Sequence, residues 1–364
     1  MKLLLVLEVA TRSPSPSRKV PRPRRASDLE QDREFVLQDL NKRRIQPPWT
    51  LYGRVVIWPH RRLVDIGDKV LCTRVMGHGP TVVLEAGGTG EGTSGDDFGG
   101  LEERLAAFAT VLTYDRAGSG RSDGPPRRSV ADMADDLHAL LRSLGCATPV
   151  IIVGWSNGAI VAEMFAARYP ANVAGLVLLD PAVATESRIL QSIAVALSTV
   201  CLWVTGLLAL TGFFSTRAGR TLLRCLAPAN FSQEGLNWIS RMISANPRVG
   251  LQTALTVSHA GRYLREVAAE LRGAELPSVP VRVVLPQSPT GAPAAQPHYC
   301  DPYRELAERF PQGELVFADR ASHLLPIDRP DLVAAIVHDL LPRDRTTQIA
   351  PNRVSSFQDR SKAG

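Results

Sequence analysis

The sequence predicts an α/β fold with a mostly parallel central sheet flanked by helices and with an inserted helical cap. Short apolar segments recur between turn residues, and several are apolar throughout, as strands buried on both faces are. Helical patterns separate the later segments, as the crossovers of a parallel sheet require. Residues 183–276 break this alternation with helical patterns and no convincing strand. These three observations define the class.

The individual elements follow from apolar periodicity and from the turn residues between them. Eight strands are predicted, at Arg62–Ile66, Lys69–Val75, Thr81–Glu85, Thr110–Tyr114, Val150–Val153, Gly175–Leu179, Val281–Leu285 and Glu314–Ala318. Helices are predicted at Glu30–Arg44, Leu101–Phe108, Val130–Leu144, Asn157–Arg168, Pro302–Phe310 and Pro330–Leu341.

The predicted organisation is a core of residues 49–182 and 277–342, a helical cap of residues 183–276, and two disordered ends. The first end, residues 1–48, is a basic arm: residues 1–62 hold 14 Lys and Arg against 6 Asp and Glu, whereas the whole chain has a net charge of +6. A basic arm rich in proline and serine is typical of a solvated tail. The second disordered end is residues 343–364. No nucleic acid partner is expected for the protein.

Within the predicted cap, Ile193–Phe214 contains no charged residue and is long enough to cross a membrane. Its glycines and hydroxyl residues lower its apolarity, so two short cap helices folded over a pocket are the favoured interpretation. A membrane-contacting lid is the second interpretation, and a true membrane span is the third. The five cysteines form no C-x-x-C pair, so we expect neither a disulfide framework nor a metal site. A cytoplasmic location is expected, with membrane association as the alternative.

The strongest chemical signal is Gly-Trp-Ser-Asn-Gly at positions 154–158, between an apolar run and a helical pattern. A serine at such a strand-to-helix turn projects its hydroxyl above the sheet, close to backbone N–H groups that can bind an oxyanion. Ser156 is therefore the predicted nucleophile. It needs a base, and among seven histidines only His323 lies in a loop just after the last predicted strand.

Four ordered segments make the chain resemble the α/β-hydrolase fold superfamily, over roughly residues 62–342. They are Tyr-Asp-Arg-Ala-Gly-Ser-Gly-Arg-Ser-Asp (114–123), Gly-Trp-Ser-Asn-Gly (154–158), Gly-Leu-Val-Leu-Leu-Asp-Pro (175–181) and Ser-His-Leu-Leu-Pro-Ile-Asp-Arg-Pro (322–330).

The resemblance implies the remaining site residues. Asp180, which ends the strand after the elbow helix, is the expected triad acid, while Asp301 has helix capping as the simpler role. The oxyanion donors are expected at the N–H groups of Gly88 and Asn157. Ala86-Gly87-Gly88 stands where the superfamily more usually has His-Gly-x, so a loop-bracing histidine is missing, and the glycines also suit plain turn chemistry. Asp115 and Asp123 are expected to hold loop geometry.

The resemblance further implies a serine hydrolase of the carboxylesterase and lipase type (EC 3.1.1) with no cofactor. Its expected substrate is a small hydrophobic ester, cleaved through an acyl-serine intermediate. A serine nucleophile argues against dehalogenase and epoxide hydrolase chemistry. Two alternatives remain: an amidase or peptidase, and a non-catalytic ligand-binding protein on the same fold.

Overall fold

The computed structural model of the protein describes residues 61–93, 97–183, 189–226, 231–246, 248–287 and 297–341. The predicted basic arm at residues 1–48, with its helix at Glu30–Arg44, lies outside these ranges. So do residues 49–60 of the predicted core and the predicted tail at residues 343–364.

The described residues form an eight-stranded sheet in the order β1-β2-β4-β3-β5-β6-β7-β8. The strands are β1 Arg61–Asp65, β2 Val70–Gly77, β3 Thr81–Glu85, β4 Thr110–Tyr114, β5 Val150–Trp155, β6 Val173–Leu179, β7 Pro280–Gln287 and β8 Gln312–Asp319. Only β2 runs antiparallel to its neighbours, and all other pairs are parallel. The predicted mostly parallel sheet is confirmed. Each predicted strand is present; β3 and β4 have the predicted bounds, and the ends of the others are shifted by one to a few residues.

Helices cover both faces of the sheet, which explains why β3 and β5 are buried along their whole length. The core helices are α1 Leu101–Ala106, α2 Val130–Ser143, α3 Asn157–Arg168, α8 Pro297–Glu308, α9 Leu325–Asp328 and α10 Pro330–Leu340. One apolar cluster joins the sheet to α2 and α3, and a second joins the opposite face to α1 and α10. The carboxyl ends of the parallel strands therefore emerge along one edge between these layers.

Between β6 and β7 the chain forms a helical insertion, consisting of α4 Ile189–Leu210, α5 Arg217–Leu226, α6 Gln233–Ala245 and α7 Arg248–Gly273. Part of α7 packs on the core through Tyr263 and Val267. The predicted pair of short helices in residues 193–214 is wrong, because α4 continues to Leu210. Gly206 does not break the helix; a methyl group there would lie 2.8 Å from the Leu251 nitrogen, so this glycine permits close contact between α4 and α7. Within the described residues, we find no helix with the length and apolarity that a membrane crossing needs.

Candidate active site

Ser156 lies at the tight turn between β5 and α3, where its backbone adopts a positive φ of 54°. Such a conformation is strained for a residue other than glycine and is frequent at functional sites. The flanking glycines are required by close packing: a methyl group on Gly154 would lie 2.7 Å from Ala159 Cα, and one on Gly158 2.2 Å from the Glu85 carbonyl oxygen. The pattern that singled out this serine thus reflects the geometry of the turn.

The structure brings Asp180 and His323 into direct contact, with His323 Nδ1 2.6 Å from Asp180 Oδ2. Asp180 follows β6 with a φ of 40°, and His323 follows β8. Because β5 and β6 are adjacent, the backbone N–H of Ser156 donates to Leu179, directly before Asp180, at 2.9 Å. The Asp180 side chain is 13% exposed and that of His323 is 41% exposed. The carboxylate is therefore largely shielded, while the imidazole reaches the surface of the site.

The histidine loop is fixed by contacts that the sequence analysis did not identify. Asp328 accepts hydrogen bonds from the backbone N–H and the hydroxyl of Ser322, at 2.7 and 2.6 Å. The indole N–H of Trp155 donates to the backbone carbonyl of His323 at 2.8 Å. Asp328 belongs to the 322–330 segment and Trp155 to the 154–158 segment, so their place within these segments was the available signal.

The other carboxylates considered for the site lie elsewhere. Asp301 is inside α8 and pairs with Arg304 at 3.0 Å; the expected capping role is wrong because the helix begins earlier, at Pro297. Asp115 accepts the backbone N–H of Thr93 at 2.9 Å, and Asp123 accepts that of Val70 at 2.7 Å. The expected loop-holding role of Asp115 and Asp123 agrees with these bonds.

Gly88 and Asn157, the two predicted oxyanion donors, are neighbours. A methyl group on Gly88 would lie 3.7 Å from Asn157 Nδ2 and 3.4 Å from a methyl carbon of Thr253 on α7. Asn157 is the first residue of α3, where backbone N–H groups have no partner within the helix. An anion beside Ser156 would therefore meet the amino-terminal end of a helix, which favours negative charge.

A buried charged group beneath the glycine turn was also missed. Arg116 forms an ion pair with Glu85, at 2.7 Å between Nη1 and Oε1, and the Tyr114 hydroxyl donates to the other oxygen of Glu85. Burial raises the pKa of Glu85, while Arg116 and Tyr114 oppose the shift. The arginine lies within the 114–123 segment, but no sequence periodicity indicates which carbonyls it reaches.

A cavity of about 270 Å³ lies between α7 and the core. It borders the amino-terminal end of α3, and its lining includes Asn157, Val161, Met133, Thr256 and Tyr263. Asn157 is buried, and its side-chain oxygen has no hydrogen-bond partner among the described residues. The cavity therefore lies beside the elbow and combines apolar side chains with polar and charged ones, among them Arg127, Asp136 and Arg262. Ser156, Asp180 and His323 are not among its lining residues.

Two further buried carboxyl groups lie close to the glycine turn. Burial raises the pKa of Glu91 to about 7 and that of Asp97 to about 8. Glu91 accepts hydrogen bonds from Gly120 N–H, at 3.3 Å, and from Asn246 Nδ2 of the insertion, at 2.7 Å. Among the described residues, no group of three or more His, Cys, Asp or Glu side chains could hold a metal ion.

Comparison with known proteins agrees with this architecture. The 2-(acetamidomethylene)succinate hydrolase of Mesorhizobium japonicum is 36% identical over 129 residues, which are 35% of this chain and 45% of that protein. The pimeloyl-(acyl-carrier protein) methyl ester esterase of Chromobacterium violaceum is 36% identical over 121 residues, 33% of this chain and 43% of that protein. The matched stretches thus span less than half the length of these two relatives.

A solved structure of the epoxide hydrolase CorEH superposes with a TM-score of 0.58 at 21% identity, covering 77% of this chain and 97% of that one. At this identity the similarity concerns the fold alone. A family model described as the alpha/beta hydrolase family matches residues 75–336. Because this match covers well over half of the sequence, the chain belongs to the alpha/beta hydrolase family.

Proposed function

We propose that this protein is a serine hydrolase that cleaves a carboxylic ester with a hydrophobic acyl or alcohol group. The observation that carries the proposal is the 2.6 Å contact between His323 Nδ1 and Asp180 Oδ2. The strained elbow serine is tied to the same strand end, because its backbone N–H donates to Leu179, the residue before Asp180. With Nδ1 held by the carboxylate, Nε2 is the ring nitrogen left to act as base toward Ser156.

The proposed reaction has two halves. In the first, Ser156 Oγ attacks the ester carbonyl as His323 takes its proton, and the resulting oxyanion is bound by the N–H groups of Gly88 and Asn157. His323 then protonates the departing alcohol, which leaves an acyl-serine. In the second half, water attacks the acyl group with His323 again as base, releasing the acid and the free serine.

The substrate class follows from the cavity and from the insertion that closes it. The cavity presents more apolar than polar surface, although Arg127, Asp136 and Arg262 also line it, and Tyr263 and Thr256 contribute from α7. At about 270 Å³, the cavity is near the small end of the roughly 300–1,000 Å³ of typical ligand pockets. We infer that the insertion serves as the substrate-selecting cap and that short-chain esters are preferred. The esterase named among the relatives is consistent with this class.

The test is hydrolysis of p-nitrophenyl esters of graded chain length, together with labelling by a fluorophosphonate probe. The wild type should hydrolyse short esters and become labelled, while Ser156→Ala should lose about 10³-fold or more in kcat and take up no probe. Ser143→Ala, on the exposed end of α2, is the matched control and should behave as the wild type.

Hydrolysis of amides but not esters by the wild type would replace the ester proposal with an amidase. No turnover and no labelling in a folded wild type would indicate a binding protein. Undiminished turnover in Ser156→Ala would exclude this serine as the nucleophile.

A further inference from the structure

Arg116 connects the loop after β4 with the glycine turn after β3. Its guanidinium donates to the carbonyl oxygen of Ala86, at 2.6 Å, and to that of Gly87. The same group pairs with Glu85, so it binds three consecutive residues. The backbone of Arg116 is fixed to the turn as well, since its N–H donates to the Gly90 carbonyl at 2.8 Å.

The orientation of one peptide group explains why these contacts matter. In a planar trans peptide the C=O and the N–H point in opposite directions. The carbonyl of Gly87 and the N–H of Gly88 belong to the same peptide. When Arg116 holds the Gly87 carbonyl on its own side, the N–H of Gly88 is turned to the other side. An arginine suits this task because its planar group presents several donors in a fixed geometry.

We propose that Arg116 is the positioning residue of the oxyanion turn, holding the Ala86 and Gly87 carbonyls so that the Gly88 N–H faces the substrate oxygen. This inference rests on the proposed serine hydrolase function. It also accounts for Ala86, which stands where the resembling proteins more usually carry a bracing histidine. In this chain the brace comes from the loop after β4, thirty residues later in sequence.

Glu85, the last residue of β3, fixes the position of the Arg116 guanidinium. It is fully buried and binds both Arg116 and the Tyr114 hydroxyl. The Nη1 of Arg116 donates to both the Glu85 carboxylate and the Ala86 carbonyl, and its Nη2 donates to the Gly87 carbonyl. With both terminal nitrogens engaged, the guanidinium has little freedom to rotate. The turn is thus oriented before substrate arrives, as electrostatic stabilisation of an oxyanion requires.

The decisive variant is Arg116→Lys, measured on the ester that the wild type hydrolyses best. A lysine keeps a positive charge beside Glu85 but has a single ammonium group, which cannot reproduce the planar fork. We expect kcat to fall about 10- to 100-fold with little change in KM, because the oxyanion contact strengthens only in the transition state. Affinity for a trifluoromethyl ketone, which adds to the serine as a tetrahedral oxyanion, should fall by a similar factor.

Arg74→Lys is the matched control, since Arg74 on β2 is another buried arginine paired with a glutamate, Glu102 on α1. It should lower thermal stability while leaving kcat and inhibitor affinity near wild type. Should Arg116→Lys not fold, the double variant Arg116→Gln with Glu85→Gln takes its place, because it leaves no lone charge buried. The same loss of kcat is expected there.

The outcomes separate this inference from the proposed function. If Ser156→Ala is inactive but a folded Arg116 variant keeps wild-type kcat and inhibitor affinity, Arg116 does not position the turn. A rise in KM with unchanged kcat in Arg116→Lys would also overturn it. So would a fall of kcat in Arg74→Lys as large as that in Arg116→Lys. If Ser156→Ala hydrolyses esters as the wild type does, the proposed mechanism itself fails.

Discussion

The edge of the sheet and the helical insertion are held in different ways. At the edge, site residues directly follow strands and are fixed by backbone bonds, as between Asp180 N–H and the Val284 carbonyl at 2.8 Å. The insertion reaches the edge through side chains: Ser232 to Asp328, Asn246 to Glu91, and Gln252 to Ser119. The difference implies that the chemistry depends mainly on the strand ends, whereas substrate choice depends on the insertion, which contacts them through a few side chains.

The largest expected effect is at the edge, in Asp180→Asn. The amide keeps the size of the side chain but favours the wrong tautomer of His323, so kcat should fall about 10³- to 10⁴-fold while the thermal midpoint changes little. The measurement is steady-state ester hydrolysis with a thermal melt of each variant. Asp301→Asn serves as the control and should retain full activity, because Asp301 pairs with Arg304 on α8. Equal losses in both variants would contradict the assignment.

A smaller effect is expected in the insertion, in Thr256→Phe. Thr256 lines the cavity from α7 and is half-buried, so a phenyl ring there should reduce the space available to substrate. We expect kcat/KM for the longest accepted ester to fall about 10- to 100-fold, a penalty typical of hydrophobic pockets, with short esters little affected.

Arg265→Phe, on the exposed face of α7, is the control and should leave the chain-length profile unchanged. A uniform loss on all esters in Thr256→Phe would indicate that the insertion also governs the chemistry, and the distinction between the two regions would not hold.

The same difference decides what could be predicted from the sequence. Strands such as β3 and β5 were identifiable because burial on both faces leaves an uninterrupted apolar run. Asp180 was expected as the acid because the chain resembles the superfamily, in which that position and the chain order Ser, Asp, His are usual. The structure places Asp180 in contact with His323, while the catalytic role of both residues stays a prediction.

Other features left no periodic signal. Gly206 suggested a helix break, yet it serves the contact of α4 with α7, because a glycine permits either role and only the packing partner decides. The bonds of Arg116 join residues far apart in sequence whose side chains follow no shared pattern. Cross-chain polar contacts of this kind depend on the complete fold.

The stability of the contact between the sheet edge and the insertion, where Asn246 bonds to Glu91, should depend on pH. The folded protein holds this carboxyl at a pKa of about 7, against an ordinary value of 4.5, because it is buried and faces the like charge of Asp115. Between these pH values the unfolded chain releases a proton that the folded chain retains, so stability falls as pH rises toward 7. The bonds from Asn246 and Gly120 reduce the shift.

Glu91→Gln keeps an acceptor for Asn246 and Gly120 but cannot ionise. Its free energy of unfolding should therefore decline less between pH 5 and pH 7.5, by on the order of 1 kcal/mol relative to the wild type. Urea titrations at both pH values measure the difference, with Glu103→Gln on the exposed side of α1 as the control. A parallel decline in wild type and Glu91→Gln would show that Glu91 is already ionised in the folded protein. Its contact with Asn246 would then be a charged hydrogen bond that strengthens the contact between the insertion and the sheet edge at neutral pH.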